Sequence, residues 1–247
     1  MSRSYADLPG LMTVMTGDEK HGPSATSTLD VLWVLYDQVL RVSPDTADDP
    51  RRDRFLLSKG HGPAAYYAVL AAKEFFPESW LKDFGSVSSP LGYHPDRNLV
   101  PGVEIASGSL GHGLPLAVGV AHGLLASGFA EPRVYVLVGD AELDEGSNSE
   151  AIVYAGAVGL PNLTVVAVDN KSSSYGWGAG GIEAHFAVSG WSVARVDGRD
   201  HAALASALRS SGSGAGSGSG AGSGSGAGSG SGAGGPRLVV AAVEGKG

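Results

Sequence analysis

Asp140 and Asn170 are the side chains whose types and spacing most clearly indicate chemistry. Each closely follows a mainly apolar run, residues 134–138 for Asp140 and residues 163–168 for Asn170, and 30 positions separate the two. Apolar runs of this length with a helix between them are typical of neighbouring parallel strands. Open α/β sheets bind their ligands at the carboxyl ends of such strands, so both side chains are candidates for a binding site.

The oxygen atoms of these side chains suit a hard divalent cation. Mg²⁺ binds carboxylate, amide and carbonyl oxygens and keeps further positions for water and substrate phosphates. The turn after Asn170 can add a backbone carbonyl, for which Ser172 is the candidate. We therefore predict a site for Mg²⁺, or for another divalent cation, formed by Asp140, Asn170 and Ser172.

The segment between the two polar positions carries its own helix signals. Ser147 and Glu150 have the spacing of a capping box, which predicts that Ser147 caps the helix and leaves Asp140 free for a metal. Gly159, followed by a proline two positions later, predicts the end of the helix. The resulting strand, helix and strand form one right-handed crossover unit, which brings the two polar positions side by side.

Similar patterns predict the other elements of the fold. Apolar spacing predicts helices at residues 27–42, 63–72, 114–126 and 202–208, and strands at residues 55–57 and 237–243. This alternation indicates an α/β fold, doubly wound, with a mainly parallel sheet and helices on both faces. We expect one domain made of residues 1–209 and 236–247.

Residues 210–235 contain only Ser, Gly and Ala. A segment of this composition cannot bury enough apolar surface to offset its ordering entropy, so we expect an inert, flexible linker.

Composition excludes several classes of function. The 247 residues include 25 acidic and 17 basic residues, for a net charge of −8, which argues against a nucleic-acid or polybasic membrane partner. The absence of cysteine excludes thiol catalysis and a disulfide framework, and it fits a cytoplasmic location. The first residues do not read as a secretory signal. The uncharged stretch at residues 105–130 contains six glycines and two histidines, so we interpret it as a ligand loop and a buried helix, not a membrane span.

Several motifs resemble, in the same order, the first half of transketolase-family enzymes. Gly139 and Asp140 followed by Asn170 resemble the diphosphate-binding signature of thiamine-diphosphate enzymes. Further matching blocks are residues 57–62 (LSKGHG), 93–96 (YHPD), 107–113 (SGSLGHG), 190–198 and 244–247. The resemblance extends from about residue 21 to residue 247 and implies the thiamine-diphosphate-binding fold, with thiamine diphosphate and Mg²⁺ as cofactors.

The resemblance also implies roles for individual residues at the cofactor. The implied cofactor-binding set is His61, Gly108, Leu110, Gly139, Asp140, Ala141 and Asn170. Within this set, Gly108 would offer its carbonyl to the amino group of the cofactor, and Leu110 would press against the pyrimidine face. From sequence alone, the segment around Gly108 is only a glycine-rich turn.

Four residues form the implied catalytic set: His21, His61, His94 and Glu145. His61 precedes a helix N-terminus, a region that favours anions. His94 matches a histidine that hydrogen-bonds a substrate hydroxyl, although Tyr93 and Asp96 depart from the family pattern. His21 lies in His-Gly-Pro-Ser, where the family has His-Pro-Gly-Ser, so the ring position is open. Glu145 would reach across a subunit interface to a partner glutamate; the alternative is a surface acid.

The remaining histidines have weaker claims. His112 is a second-rank candidate beside the cofactor, because it follows the matching SGSLG segment. His122, His185 and His201 are interpreted as structural or solvent-facing.

The family's cofactor-activating glutamate belongs to a second domain that these residues do not include. We therefore expect the N-terminal subunit of a split transketolase-like enzyme, inactive without a C-terminal partner subunit. With that partner it would transfer a two-carbon ketol unit from a ketose to an aldose, as a hetero-oligomer with two copies of each subunit. The donor and acceptor sugars stay open.

Two alternatives remain at this stage. The chain could belong to another thiamine-diphosphate enzyme of the 2-oxoacid decarboxylase or dehydrogenase type, which would share the metal motif but not residues 58–61 and 93–96. It could also be a non-catalytic assembly subunit that keeps the fold. The sequence argues against a phosphate-loop nucleotide enzyme, because it has no Gly-x-x-x-x-Gly-Lys-Ser/Thr motif.

Overall fold

A parallel sheet forms the centre of the computed structural model, which describes residues 3–15, 25–60, 63–210 and 234–244. Its strands are β1 (Arg54–Leu57), β2 (Val134–Gly139), β3 (Leu163–Asp169), β4 (Ser192–Asp197) and β5 (Arg237–Ala242). Their order is β1-β2-β3-β5-β4, and every neighbouring pair is parallel. The predicted adjacency of β2 and β3, and the parallel α/β fold, are confirmed.

Helices cover both faces of this sheet. In chain order they are α1 (Leu8–Val14), α2 (Leu29–Val34), α3 (Ala64–Ala72), α4 (Gly113–Ala126), α5 (Gly146–Val158), α6 (Gly181–Ala187) and α7 (His201–Arg209). One core cluster joins the sheet to α1, α2, α3 and α7, and a second joins it to α4, α5 and α6. Successive strand residues serve opposite clusters, as in Leu56 and Leu57, because side chains alternate along a strand.

The helix predicted over residues 27–42 is shorter and less regular than expected. Its α-helical part is α2, which passes into a π-helical turn at Leu35–Val39. The backbone N–H of Leu40 donates to the carbonyl of Leu35 at 2.8 Å and closes this wider turn. All residues of α2 are buried, so this part of the segment packs on every side and has no solvent-facing stripe.

The helix between β2 and β3 confirms one signal and corrects another. Gly159 ends α5 in the left-handed conformation, with φ of 70°, as predicted. The predicted capping box is wrong, because α5 begins at Gly146 with Glu145 at the cap position and no side-chain cap. Ser147 lies inside the first turn, and its hydroxyl donates to the carbonyl of Gly111 at 2.6 Å.

The Gly/Ser/Ala tract interrupts the chain between α7 and β5, and residues 211–233 lie outside the described part of the structure. Its two ends meet, since the Arg237 guanidinium donates to the carbonyl of Ser210. The strand after the tract, β5, lies between β3 and β4 and so completes the sheet. Among the described residues, no helix has both the length and the apolar character of a membrane span.

Candidate active site

Asp140 lies at the carboxyl end of β2 and is buried, with 1% of its surface exposed. One carboxylate oxygen, Oδ1, accepts from the Ala141 N–H at 2.9 Å and from the Ser172 hydroxyl at 2.5 Å. The other, Oδ2, accepts from the backbone N–H groups of Ser172 at 2.7 Å and Ser173 at 3.3 Å. Asp140 therefore does cap a helix, the 3₁₀ turn Ala141–Asp144, and the expectation that Ser147 would take over capping is corrected.

Asn170 lies at the end of the neighbouring strand β3 and is also buried. Its amide oxygen, Oδ1, has no hydrogen-bond partner among the described residues. Burying an amide oxygen without a partner costs free energy, so such an atom calls for an explanation such as a bound ion. The oxygen thus fits the predicted role of Asn170 as a cation ligand.

The turn after β3 is held in an unusual backbone conformation. Lys171 has φ of 58°, a left-handed value that residues with a side chain rarely adopt. Its ammonium group returns to the buried carboxylate of Asp169 at 2.8 Å, and Arg195 contacts the same carboxylate at 2.9 Å. These two ion pairs fix the turn that connects Asn170 to Ser172.

Two glycine-rich loops approach each other, one after β1 and one before α4. A Cβ atom on Gly60 would lie 2.5 Å from the backbone nitrogen of Gly108, and one on Gly113 would lie 2.2 Å from Cβ of Ser58. Gly108 has φ of 144°, and a Cβ there would meet the His94 ring at 2.8 Å. The spacing allows no side chain at these positions, so the glycines let backbone groups line the site closely.

His94 connects these two loops. Its Nδ1 lies 2.9 Å from the carbonyl oxygen of Gly60, and its ring packs against Gly108. Because a carbonyl only accepts, Nδ1 must donate the proton in this contact. This bond sets the orientation of the His94 ring between the two loops.

Glu142 is a central residue of the site that the sequence analysis missed. It is 1% exposed, and its carboxylate accepts from the Ser58 hydroxyl and from the N–H groups of Gly111 at 3.0 Å and Gly139 at 3.3 Å. Ser58 in turn accepts from the Gly113 N–H at 3.0 Å. One carboxylate therefore joins the loop after β1, the loop before α4 and the end of β2.

The charge of Glu142 is governed by burial and by these donors. Burial raises the pKa of its carboxyl group, whereas the bonds from Ser58, Gly111 and Gly139 and the charge of Lys59 act in the opposite direction. The three bonding partners are all placed to donate to this carboxyl group. Lys59 is itself buried and donates to the Ser27 hydroxyl at 3.0 Å, so a cation balances this interior acid.

The other predicted site residues differ in their exposure to solvent. Glu145 is exposed, and its side chain lies against Gly111. Leu110 and Ala141 are half-buried. His21 and His61 lie outside the described residues, so their predicted roles stay predictions.

The second-rank candidate His112 and the three histidines interpreted as structural or solvent-facing differ in their contacts. The Nδ1 of His112 lies 3.0 Å from the carbonyl of Leu110, and the Nδ1 of His122 lies 2.9 Å from the Tyr154 hydroxyl. His201 contacts the buried carboxylate of Asp30 at 2.8 Å, and Nε2 of His185 has no partner among the described residues.

The donor set at the ends of β2 and β3 fits a metal-bound diphosphate. The described residues contain no group of three His, Cys, Asp or Glu side chains placed to hold a metal. The predicted site instead combines one carboxylate with amide and carbonyl oxygens, which suits Mg²⁺ when phosphate oxygens supply further ligands. A signal for Glu142 was present in the sequence, because it lies between the apolar Ala141 and Leu143 directly after the strand.

The chain is similar to transketolases in both sequence and structure. Residues 10–216 match the family described as "Transketolase, thiamine diphosphate binding domain". A solved structure titled "Transketolase from Leishmania mexicana" superimposes with a TM-score of 0.73 at 25% identity, over 98% of this chain and 37% of that chain.

Curated relatives include shorter proteins. A protein named as a 6-deoxy-6-sulfo-D-fructose transketolase subunit, from a Clostridium species, is 32% identical over 196 residues, which is 77% of this chain and 71% of that protein. "Ferredoxin fas2" from Rhodococcoides fascians is 55% identical over 205 residues, which is 83% of this chain and 67% of that protein. The chain thus spans about two thirds of the length of these two relatives. It contains no cysteine, the usual ligand of iron–sulfur clusters.

Proposed function

Since this chain belongs to the transketolase family, whose thiamine-diphosphate-binding domain it matches over residues 10–216, we propose that it is the N-terminal subunit of a split transketolase-like enzyme. The observation that carries this proposal is the buried amide oxygen of Asn170, which has no hydrogen-bond partner in the described part of the chain and lies one strand away from the buried carboxylate of Asp140. The relative that is named as one subunit of a transketolase supports the split arrangement.

The cofactor site would combine a cation with backbone donors. Asp140, Asn170 and the carbonyl of Ser172 would hold Mg²⁺, and Gly139 and Ala141 would line the diphosphate. Neutralising a diphosphate requires a cation here, since the chain is acidic with a net charge of −8. Bound thiamine diphosphate would supply a nucleophilic carbon that accepts a two-carbon ketol unit from a ketose and passes it to an aldose.

The side chains around the cofactor would position the substrate and its protons. With Nδ1 held by the carbonyl of Gly60, the His94 ring would be oriented to hydrogen-bond a substrate hydroxyl. His21 and His61 would take comparable positions at the diphosphate and substrate. Gly108 and Leu110 would orient the ring of the cofactor, where the close approach of Gly60 leaves room only for backbone.

A partner subunit would complete the enzyme through the surface around Glu145. Glu145 is exposed and precedes α5, whose outer side exposes Val153, Tyr154 and Val158. An apolar patch of this kind on a soluble protein marks an interaction site. We propose that a C-terminal transketolase-like subunit covers this surface, supplies the activating glutamate and forms a hetero-oligomer with two copies of each chain.

Cofactor binding tests the proposal directly. Thiamine diphosphate should bind in a Mg²⁺-dependent manner, measured by calorimetry with and without a chelator, and Asp140→Ala should weaken binding more than about hundredfold. Asp144→Ala is the matched control, because the Asp144 carboxylate contacts Ser173 and Ser174 in the same turn. Mg²⁺-independent binding, or an Asp140→Ala chain that binds normally, contradicts the site.

Reconstitution tests the need for a partner. Ketol transfer from a ketose to an aldose should be absent for the purified chain and should appear when a C-terminal transketolase-like chain is added. Glu145→Gln should lower the rate of the mixture without weakening Mg²⁺-dependent cofactor binding by this chain. Transfer by the chain alone would show that no second subunit is required, and an absence of cofactor binding in every mixture favours a non-catalytic assembly role.

A further inference from the structure

The carboxylate of Asp140 has no spare capacity to accept. A carboxylate offers about four lone-pair positions. Oδ1 uses two for the Ser172 hydroxyl and the Ala141 N–H, and Oδ2 uses two for the N–H groups of Ser172 and Ser173. A cation can therefore reach this carboxylate only if one of the four donors leaves it.

The four donors differ in how easily they leave. Three are backbone N–H groups: Ala141 is fixed in the 3₁₀ turn, and Ser172 and Ser173 follow the turn anchored by Lys171. Releasing any of these requires movement of the chain itself. The fourth, the Ser172 hydroxyl, leaves by rotation about a single side-chain bond between staggered positions.

We infer that the Ser172 hydroxyl competes with the divalent cation for Asp140 and thereby sets the affinity of the site. This inference rests on the proposed metal site but adds a residue and a direction to it. The hydroxyl rotates away when the cation binds, and the cation then occupies the lone pair of Asp140 Oδ1 that had accepted from the hydroxyl. The exchange exposes no backbone donor, so the turn after β3 keeps its conformation.

The strength of the competing bond gives the expected effect. The bond is short, 2.5 Å, and its acceptor is charged, which places it among the stronger hydrogen bonds of proteins. The cation must replace this bond in the wild-type chain but not in a chain without the hydroxyl. Removing the hydroxyl should therefore tighten cation binding by about tenfold, the lower end of what a charge-assisted bond contributes.

Ser172→Ala is the test, with two matched controls. Ser173→Ala removes a neighbouring hydroxyl that lies 3.3 Å from both oxygens of Asp144 and does not touch Asp140. Ser172→Thr keeps a hydroxyl at the critical position. Binding of Mn²⁺ is followed by the loss of the free-ion electron paramagnetic resonance signal, with the chain alone and with saturating inorganic pyrophosphate.

The expected result is an apparent Kd for Mn²⁺ about tenfold lower in Ser172→Ala, with both controls within about twofold of the wild type. Ser172→Cys, which offers a weaker donor, should fall between Ser172→Ala and the wild type and guards against a fold defect in one variant. Circular dichroism and thermal midpoints check that each variant is folded.

Two outcomes overturn the inference in distinguishable ways. If Ser172→Ala binds Mn²⁺ as weakly as the wild type or more weakly, while Asp140→Ala still abolishes Mg²⁺-dependent binding of thiamine diphosphate, only the competition is disproved. If neither the wild type nor Ser172→Ala binds Mn²⁺ under either condition, the metal site of the proposed function fails together with it.

Discussion

The two helix layers differ in how completely this chain buries them. We call the layer of α1, α2, α3 and α7 the finished layer and the layer of α4, α5 and α6 the open layer. Every residue of α3, from Ala64 to Ala72, is buried, because α1 and the 3₁₀ turn Glu78–Asp83 pack over it. In α5 only Asn148, Ala151, Ile152 and Ala155 are buried. One layer completes its core within the chain, and the other presents apolar side chains to its surroundings.

The composition of the open layer explains the difference. Neither α4 nor α5 contains Lys or Arg, and Glu150 is their one acidic residue. Their outer sides expose large apolar residues, among them Leu116 at 48% and Val153 at 59%. A surface that stays in water usually mixes charges of both signs, whereas this one has the composition of a protein interface. The apolar content of a helix therefore does not indicate whether its own chain or another one covers it.

The largest expected effect comes from a cavity introduced into the finished layer. Leu70 in α3 is fully buried, and Leu70→Ala leaves a cavity that the packed neighbours cannot fill. We expect a loss of about 2–5 kcal/mol in the free energy of unfolding, measured by urea denaturation of the isolated chain. A loss below about 1 kcal/mol would mean that this layer is as loosely packed as the other.

The second-largest effect concerns the inner side of α5, where the helix packs against the backbone of Ser189. A Cβ on Gly156 would lie only 1.7 Å from the carbonyl oxygen of Ser189, so Gly156→Ala forces the two segments apart. We expect a loss of about 2–3 kcal/mol in urea denaturation. Gly119→Ala in α4 is the opposite control, because no described atom outside the neighbouring turns of its own helix lies within 4 Å of the added methyl group. Alanine there should stabilise the chain by about 0.5–1 kcal/mol.

The third effect depends on pH and concerns Asp30 in the finished layer. Burial raises the pKa of Asp30, but hydrogen bonds from Tyr5, Arg199 and His201 and the charge of Arg199 outweigh it, so the pKa is lowered. A group with a lowered pKa stabilises the fold above its unfolded pKa of about 3.9 and loses that contribution as the pH falls.

Asp30→Asn should therefore lower the stability at pH 7 by roughly 1–2 kcal/mol, the contribution of hydrogen bonds to a charged group. Its stability should also fall less steeply than that of the wild type between about pH 5 and pH 3. Urea midpoints measured across this range check both points. Parallel curves for the two chains would show that Asp30 does not carry this acid sensitivity.

The smallest expected effect on stability is that of Val153→Ala, and the matching substitution Val69→Ala in the finished layer is its comparison. Val69 in α3 is fully buried and Val153 in α5 is 59% exposed. Val69→Ala should cost about 2 kcal/mol, whereas Val153→Ala should change the unfolding free energy by less than about 0.5 kcal/mol.

The effect of Val153 should appear instead on association. Val153→Glu should weaken binding to the proposed C-terminal partner subunit, measured by sedimentation, without lowering the stability of the isolated chain. Val188→Glu is the control, since Val188 is 84% exposed but lies outside α4 and α5. Equal binding by both variants would remove α5 from the partner surface.

The sequence predicted the elements of the fold better than their local contacts. Strands β2 and β3 and the left-handed end of α5 at Gly159 follow from residue types that act locally. The π-helical turn at Leu35–Val39 was not predicted, because only the packing of its buried neighbours decides the wider hydrogen bond.

For the candidate site, too, the sequence indicated positions along the fold better than contacts. Asp140 and Asn170 follow from their positions at strand ends. The bonds of Glu142 to Ser58 and Gly111 were not predictable, since they join segments 84 and 31 residues apart. The failed cap at Ser147 has the same origin, because its hydroxyl is drawn to Gly111 by a loop that is distant in sequence.

The contact between Arg237 and Ser210 places the end of α7 within reach of one side chain at the start of β5. Along its whole length β5 pairs with β3 on one side and β4 on the other, so hydrogen bonds within the sheet hold its register. This junction is therefore a natural point for grafting: a fluorescent protein, an affinity handle or a second enzyme could replace the tract while the sheet closes as before.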